Sequence, residues 1–291
     1  MLLKHHITAN DSQKSVKQII EQKFSLSSRT LSKLKKSEGI HVNGKNVTVR
    51  YILSEGDILT LELCDTPSEN IEKVNIPLDV LYEDDDILIV NKPLGMPTHP
   101  SQGHHNDTLA NAVMYRYKDR DFTFRAITRL DGDTTGVVLI ARNALSAQRL
   151  TDFLQNGSIK KEYAAVVLGT PNPEKGIIDA PIARCPDSVI KRMVSADGKS
   201  AVTEYELDFT RPDGRYSLVK AFPITGRTHQ IRLHLSHIGN PIYGDFLYGE
   251  PIDNVRAYLH CKTLTLPHPT TRETLFVTAP LPPDIKQIME I

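Results

Sequence analysis

Residues 129–142 read RLDGDTTGVVLIAR, a loop of Asp, Gly and Thr that runs directly into an apolar strand. Such a loop can present a carboxylate at a strand end. Asp131 and Asp133 are also ordinary turn formers through Asx hydrogen bonds, and for an isolated DGD that is the commoner outcome. Further short apolar stretches with Gly or Pro between them fall at Ile87 to Val90, Ala164 to Leu168, Ala201 to Phe209 and Tyr216 to Phe222, and each reads as a strand. Helical patterns stand among them at Thr108 to Tyr117 and about Thr228 to Ile238. In the second, Ile231, Leu235 and Ile238 form an apolar stripe and Gly239-Asn240-Pro241 supplies the stop. The fold class expected from this mixture is α+β, with a mixed, largely antiparallel sheet.

Upstream the charge is uneven. From Lys14 to Arg50 nine Lys or Arg stand against two Glu, a net of +7 in a chain whose formal charge is zero. Helical stretches near Ser15 to Lys23 and Ser27 to Lys36 precede strands: His41-Val42 and Val47 to Val49 flank Asn43-Gly44, the dipeptide suited to a tight hairpin, and Glu55-Gly56-Asp57 turns into Ile58 to Leu63. Leu59, Leu61 and Leu63 share one strand face. At 100° per residue Arg29, Lys33 and Lys36 fall within ~60° of one another, with Leu31 and Leu34 opposite, and Ser27 or Ser28 can cap the helix. A cationic face is often only solvated; leading into a hairpin and an EGD turn, it marks an RNA-binding candidate. Residues 1–66 are therefore read as a small α/β module, similar to the RNA-binding module first recognised in a small-subunit ribosomal protein. A linker (67–78) follows, within a stretch from Cys64 to Leu78 that has two prolines and no sustained periodicity.

Several classes are set aside. The longest apolar runs, such as Ala164 to Leu168, are far below the ~18 residues of a membrane span, and MLLKHHITAN has no apolar leader segment. Cys64, Cys185 and Cys261 are far apart, which excludes a disulfide framework or a cysteine-built zinc site and makes a reducing cytoplasm the expected compartment. Gly198-Lys199-Ser200 lacks the earlier glycine of a phosphate loop, since Met193 occupies that position. His229, His234 and His237 point in directions spread over ~140° on a helix, and His5-His6 and His104-His105 lack carboxylate partners at ligand spacing, so no metal is expected.

The segment around Asp131 closely resembles the signature loop of the RluA family of RNA pseudouridine synthases, whose aspartate is the essential catalytic residue. NKPLGMPTHP (91–100) precedes it, and KEYAA (161–165), ITGRTHQIRLHL (224–235), GNPIYGDFLYG, LHCKTLTLPHP and APLP follow in family order. The resemblance covers nearly the whole chain after the linker, so residues 79–291 are expected to be the catalytic domain. It implies that Asp131 is catalytic, that Tyr163 packs against the target base and that Arg227 pairs with the aspartate. Arg129 becomes a candidate for contacting RNA in place of the displaced nucleotide, and Arg29, Lys33 and Lys36 for contacting phosphates. Two positions depart from the pattern: Thr128 stands where the family has His, and Thr135 where it has Ser.

Isomerising uridine breaks the bond from ribose to N1 and remakes it to C5 without net redox change, so no cofactor is expected. An ionised carboxylate can act as nucleophile or base at the ribose, and a nearby arginine favours that form. The expected partner is RNA, ribosomal RNA of the large subunit or transfer RNA, met by a monomer with no membrane attachment. A catalytically silent RNA-binding protein and an acid/base hydrolase using Asp131 with Asp133 remain the alternative readings.

Overall fold

The computed structural model describes residues 2–24, 26, 28–63, 68, 70–252 and 255–291. Cys64, Ser27 and part of the 67–78 linker lie outside them. The N-terminal region carries β1 (Leu2–His6), α1 (Val16–Ile19), α2 (Ser28–Lys36), β2 (Ile40–Val42), β3 (Lys45–Asn46) and β4 (Ile58–Glu62), with the strands antiparallel in the order β1-β4-β2-β3. Ser15 and Gln18 cap α1 reciprocally, satisfying amides at its start. A π-helical turn, Ile20–Phe24, continues it. Asn43 and Gly44 both have positive φ, 50° and 77°, as a hairpin turn that matches strand twist requires.

Val47 to Val49 is not the return strand expected. After β3 the chain leaves the sheet because its carbonyls serve α1: Lys17 N–H donates to Val49 O and Val16 N–H to Tyr51 O, both at 2.9 Å. Val16, Ile19, Leu34, Leu53, Leu59 and Leu61 form the buried core of this region. Each such side chain removed from water contributes about 1.5–3 kcal/mol. His5, contrary to the sequence expectation, has a carboxylate: its Nε2 lies 2.9 Å from Asp11 Oδ2, within β1's loop connection. His104 likewise pairs with Asp107 at 2.6 Å, three residues on.

The remainder is built on one large sheet. Its strands are β5 (Asp79–Glu83), β6 (Ile87–Lys92), β7 (Thr135–Ala141), β8 (Lys160–Leu168), β9 (Lys175–Asp179), β12 (Val202–Thr210), β13 (Tyr216–Pro223), β14 (Leu259–Pro267) and β15 (Thr274–Thr278), and a separate ribbon pairs β10 (Ile182–Arg184) with β11 (Arg192–Val194). The spatial order is β5-β6-β7-β14-β8-β13-β12-β9, with β15 on β14. Among the described strands every pairing is antiparallel except β7 with β14, where only His260 faces Thr135 and Cys261 faces Gly136. This short joint brings the end of the 129–142 loop against the strand beside β8. β6 and β7 read as unbroken apolar runs because both faces are covered: Ile87 to Val90 and Val137 to Ala141 are at most 1% exposed.

Helices α3 (Leu109–Arg116), α4 (Ala144–Gln155), α5 (Gln230–His237) and α6 (Pro283–Met289) complete the architecture. Thr108 caps α3 and Asn143 caps α4. Leu145 of α4 is buried among the apolar side chains of the N-terminal region, so the two parts touch through this helix. In the segment before β5, Ile71, Ile76 and Leu78 pack on the larger core and Val74 N–H donates to Asn111 O.

Candidate active site

Asp131 stands at the mouth of a cleft of about 650 Å³. What holds it there is the 91–100 segment. The buried Lys92 ammonium donates to Met96 O (2.7 Å), Pro93 O (2.9 Å) and Gly132 O (3.4 Å), and Thr98 Oγ1 both donates to Leu130 O and accepts from Leu130 N–H. These bonds tie the residues on either side of Asp131 to a second loop. Burial brings Lys92 down to about 7, opposed by the Asp131 and Asp133 carboxylates. The two departures from the family pattern are accommodated: Thr128 Oγ1 accepts from Leu139 N–H, and Thr135 Oγ1 meets His260 Nδ1 at 2.8 Å.

Among the described residues, Asp131 is the single carboxylate lining the cleft, whereas Arg129, Lys161, Arg227 and Arg232 supply four cations. Asp133 does not line it. Arg129 is exposed at the rim. Tyr163, on β8, forms part of the wall and is 7% exposed. Burial and the adjoining Cys261 thiol, in register across β14, push its hydroxyl well above the ordinary tyrosine value, so it stays protonated. Burial likewise pushes the Cys261 thiol up to about 12 and lowers Lys161 from its usual value.

Arg227 is not the cation facing Asp131. It precedes α5, is exposed, and donates from Nε to Ser200 O at 2.9 Å. The guanidinium nearest the carboxylate is that of Arg232, in the first turn of the helix, with Nη1 3.6 Å from Asp131 Oδ2. Arg232 is 2% exposed, and its Nε and Nη2 form a two-pronged pair with Asp245, each at 2.7 Å. Asp245, fully buried, also accepts from the amides of Leu247 and Tyr248. With two nitrogens fixed on Asp245, the third is aimed at Asp131. Burial would lower this guanidinium, but the Asp245 hydrogen bonds and charge raise it above its ordinary value. His229 Nε2 also lies 3.7 Å from Asp131 Oδ2.

The basic face expected on α2 is partly described. Lys33 and Lys36 are exposed and Leu34 is buried, while the Arg29 side chain lies outside the described residues. Asp84, Asp86 and His268 bring ligand atoms within 4.8 Å of one another, away from this cleft. Their bonds are already made: His268 Nδ1 accepts from the Thr270 and Thr271 amides, so its Nε2 carries the proton and donates to Asp84 at 2.8 Å, and Asp86 accepts from Ser146 and Asn143.

A lone carboxylate at a strand end, an aromatic wall and a cation-rich mouth define an enzyme site for an anionic polymer whose reacting unit enters a pocket. The chain belongs to the RNA pseudouridylate synthase family, whose sequence model matches residues 86–237 and so includes Asp131, Tyr163, Arg227 and Arg232. It is 38% identical over 270 residues to Uncharacterized RNA pseudouridine synthase YjbO of Bacillus subtilis (strain 168), covering 91% of this chain and 95% of that one. It is 34% identical to Ribosomal large subunit pseudouridine synthase D of Vibrio parahaemolyticus, over 97% of this chain and 93% of the relative. Among solved structures, Human RNA Pseudouridylate Synthase Domain Containing 1 superposes with a TM-score of 0.59 at 27% identity, over 70% of this chain and 83% of that chain.

Proposed function

We propose that this protein isomerises specific uridines of large-subunit ribosomal RNA to pseudouridine, with Asp131 as the reacting carboxylate. The observation that carries the reading is the charge of the cleft: one carboxylate among four cations. A phosphodiester chain is attracted to such a mouth, and the carboxylate is left free of the second acid that glycoside hydrolysis uses. Tyr163 offers the extruded uracil an aromatic face, worth about 1–3 kcal/mol per stacked base. Arg232, held by Asp245, supplies the positive charge that keeps Asp131 ionised and compensates charge developing at the sugar. Arg129 and Arg227 at the rim contact backbone phosphates beside the displaced nucleotide. Residues 1–66 add affinity through Arg29, Lys33 and Lys36.

The relatives named for the large ribosomal subunit support the choice of RNA. The test is incubation of a large-subunit ribosomal RNA transcript with the protein, followed by mapping of pseudouridine at single-nucleotide resolution. Pseudouridine at discrete positions is expected, and none with Asp131→Asn, which preserves shape but can be neither nucleophile nor base. Free uracil instead would establish a hydrolase, and unmodified RNA bound tightly by both proteins a silent binder.

A further inference from the structure

His229 adopts φ 58° and ψ 19° immediately before α5, a left-handed conformation that a non-glycine residue takes at a cost of about 1–3 kcal/mol. The side chain that this backbone aims is 9% exposed and is held by a hydrogen bond at Nδ1 while Nε2 faces a carboxylate. Nδ1 lies 2.9 Å from the Tyr248 hydroxyl, whose oxygen accepts from the Arg192 amide at 2.8 Å. The amide takes one lone pair of the hydroxyl, which keeps its proton and a second lone pair for Nδ1; when it gives the proton, Nδ1 is the acceptor. A neutral imidazole whose Nδ1 accepts carries its proton on Nε2. The Tyr248 ring meets the imidazole edge-on at 5.7 Å, which keeps it from turning over.

Nε2 faces Asp131 Oδ2 at 3.7 Å, and Arg232 Nη1 faces the same oxygen at 3.6 Å. At these separations the contacts are electrostatic rather than hydrogen bonds, and a shift under 1 Å on substrate entry closes them. Burial holds the imidazole below its ordinary pKa; Asp131 and Asp245 oppose this, and Arg232 and Arg192 reinforce it. The ring is therefore neutral at neutral pH, and its tautomer decides whether Asp131 meets a donor or a lone pair.

We propose that His229 is a positioning residue for Asp131: the Arg192 amide and Tyr248 hydroxyl lock its ring as the Nε2–H tautomer, so that His229 and Arg232 together hold Oδ2 and leave Oδ1 to face the ribose. This rests on the pseudouridine synthase reading above, but its first test does not need RNA. In full-length protein labelled with 15N-histidine, long-range proton–nitrogen correlation distinguishes the tautomers, and the His229 signal is assigned by its loss in His229→Gln. The parent should show Nε2–H, and Tyr248→Phe, which removes the proton given to Nδ1, should shift the ring toward Nδ1–H. An Nδ1–H ring in the parent overturns the proposal.

The second test is the single-turnover rate of pseudouridine formation on a large-subunit ribosomal RNA transcript. His229→Phe should lose on the order of 10²-fold in rate, the scale of a misplaced catalytic group, with half-saturating RNA unchanged. His229→Gln, whose amide N–H reaches the position of Nε2–H, should recover most of it, and Tyr248→Phe should slow the step without weakening RNA binding. Equal rates for parent and His229→Phe, or a loss confined to RNA affinity, overturn the positioning role. A parent that forms no pseudouridine overturns the functional reading instead, while the tautomer signal still decides the relay.

Discussion

At the residue scale, the charge partner of Asp131 turns on helix phase. Arg227 and Arg232 lie in one segment, but α5 begins at Gln230, so only Arg232 projects from the helix toward the carboxylate, and Asp245 fixes its fork. Arg232→Lys keeps a charge but not the fork, and should lower both the melting temperature and the single-turnover rate. Arg227→Gln should raise the RNA concentration for half-saturation and leave the saturated rate largely intact. Measuring both in one pseudouridine assay checks the assignment; the reverse pattern would return the role to Arg227. Asp131 and Tyr163 were legible because each sits in an unbroken motif beside a strand. Arg232 was not, although a charge between Ile231 and Leu233 and an acid between Gly244 and Phe246 already imply a buried pair. Lys92 carries a pH prediction. Its pKa is about 7 in the fold against an ordinary 10.5, so between those values the unfolded chain binds the extra proton and unfolding free energy rises with pH. In urea titrations from pH 7 to 10, the parent should gain stability relative to Lys92→Met; a constant gap would mean that the three carbonyls hold Lys92 as an ammonium throughout.

At the scale of elements, the joint between β7 and β14 is a contact that only glycine allows. Gly136 has φ 108°, and a Cβ there would meet the Cys261 carbonyl oxygen at 2.2 Å. Gly136→Ala combines backbone strain with a clash that nothing flexible can relieve, so it should cost more than about 1–3 kcal/mol and lower activity by moving β14 away from Tyr163. A melting curve and a turnover assay on the variant test this. Of the two strands at the joint, β7 could be read from its apolar run, but β14 and its pairing with β7 could not, because the partners are separated by most of the catalytic region. Val47 to Val49 failed for a related reason: its backbone is used to cap α1, a demand the side chains do not announce. For α2, replacing Arg29, Lys33 and Lys36 with Gln should flatten the salt dependence of RNA binding by about 2 slope units, at ~0.7 per single-strand phosphate contact. Leu34→Ala should instead destabilise the N-terminal region by about 2–5 kcal/mol. Parallel salt titrations that give equal slopes would make this face merely solvated.

On the scale of the whole molecule, the order of the strands across the sheet differs from the order in which the chain is made. Strands β5, β6 and β7 emerge early and include the end of the Asp131 loop, yet the strand that lies beside them, β14, starts only at Leu259. At the ~5–20 residues per second of synthesis, the loop waits on the order of ten seconds for its neighbour. During that time the β7 edge is open to pairing with other chains, which is the exposure that chaperones guard. Vectorial synthesis thus builds in a delay: Asp131 and Tyr163 are both made long before β14, the strand that lies between β7 and β8 and joins them in one sheet.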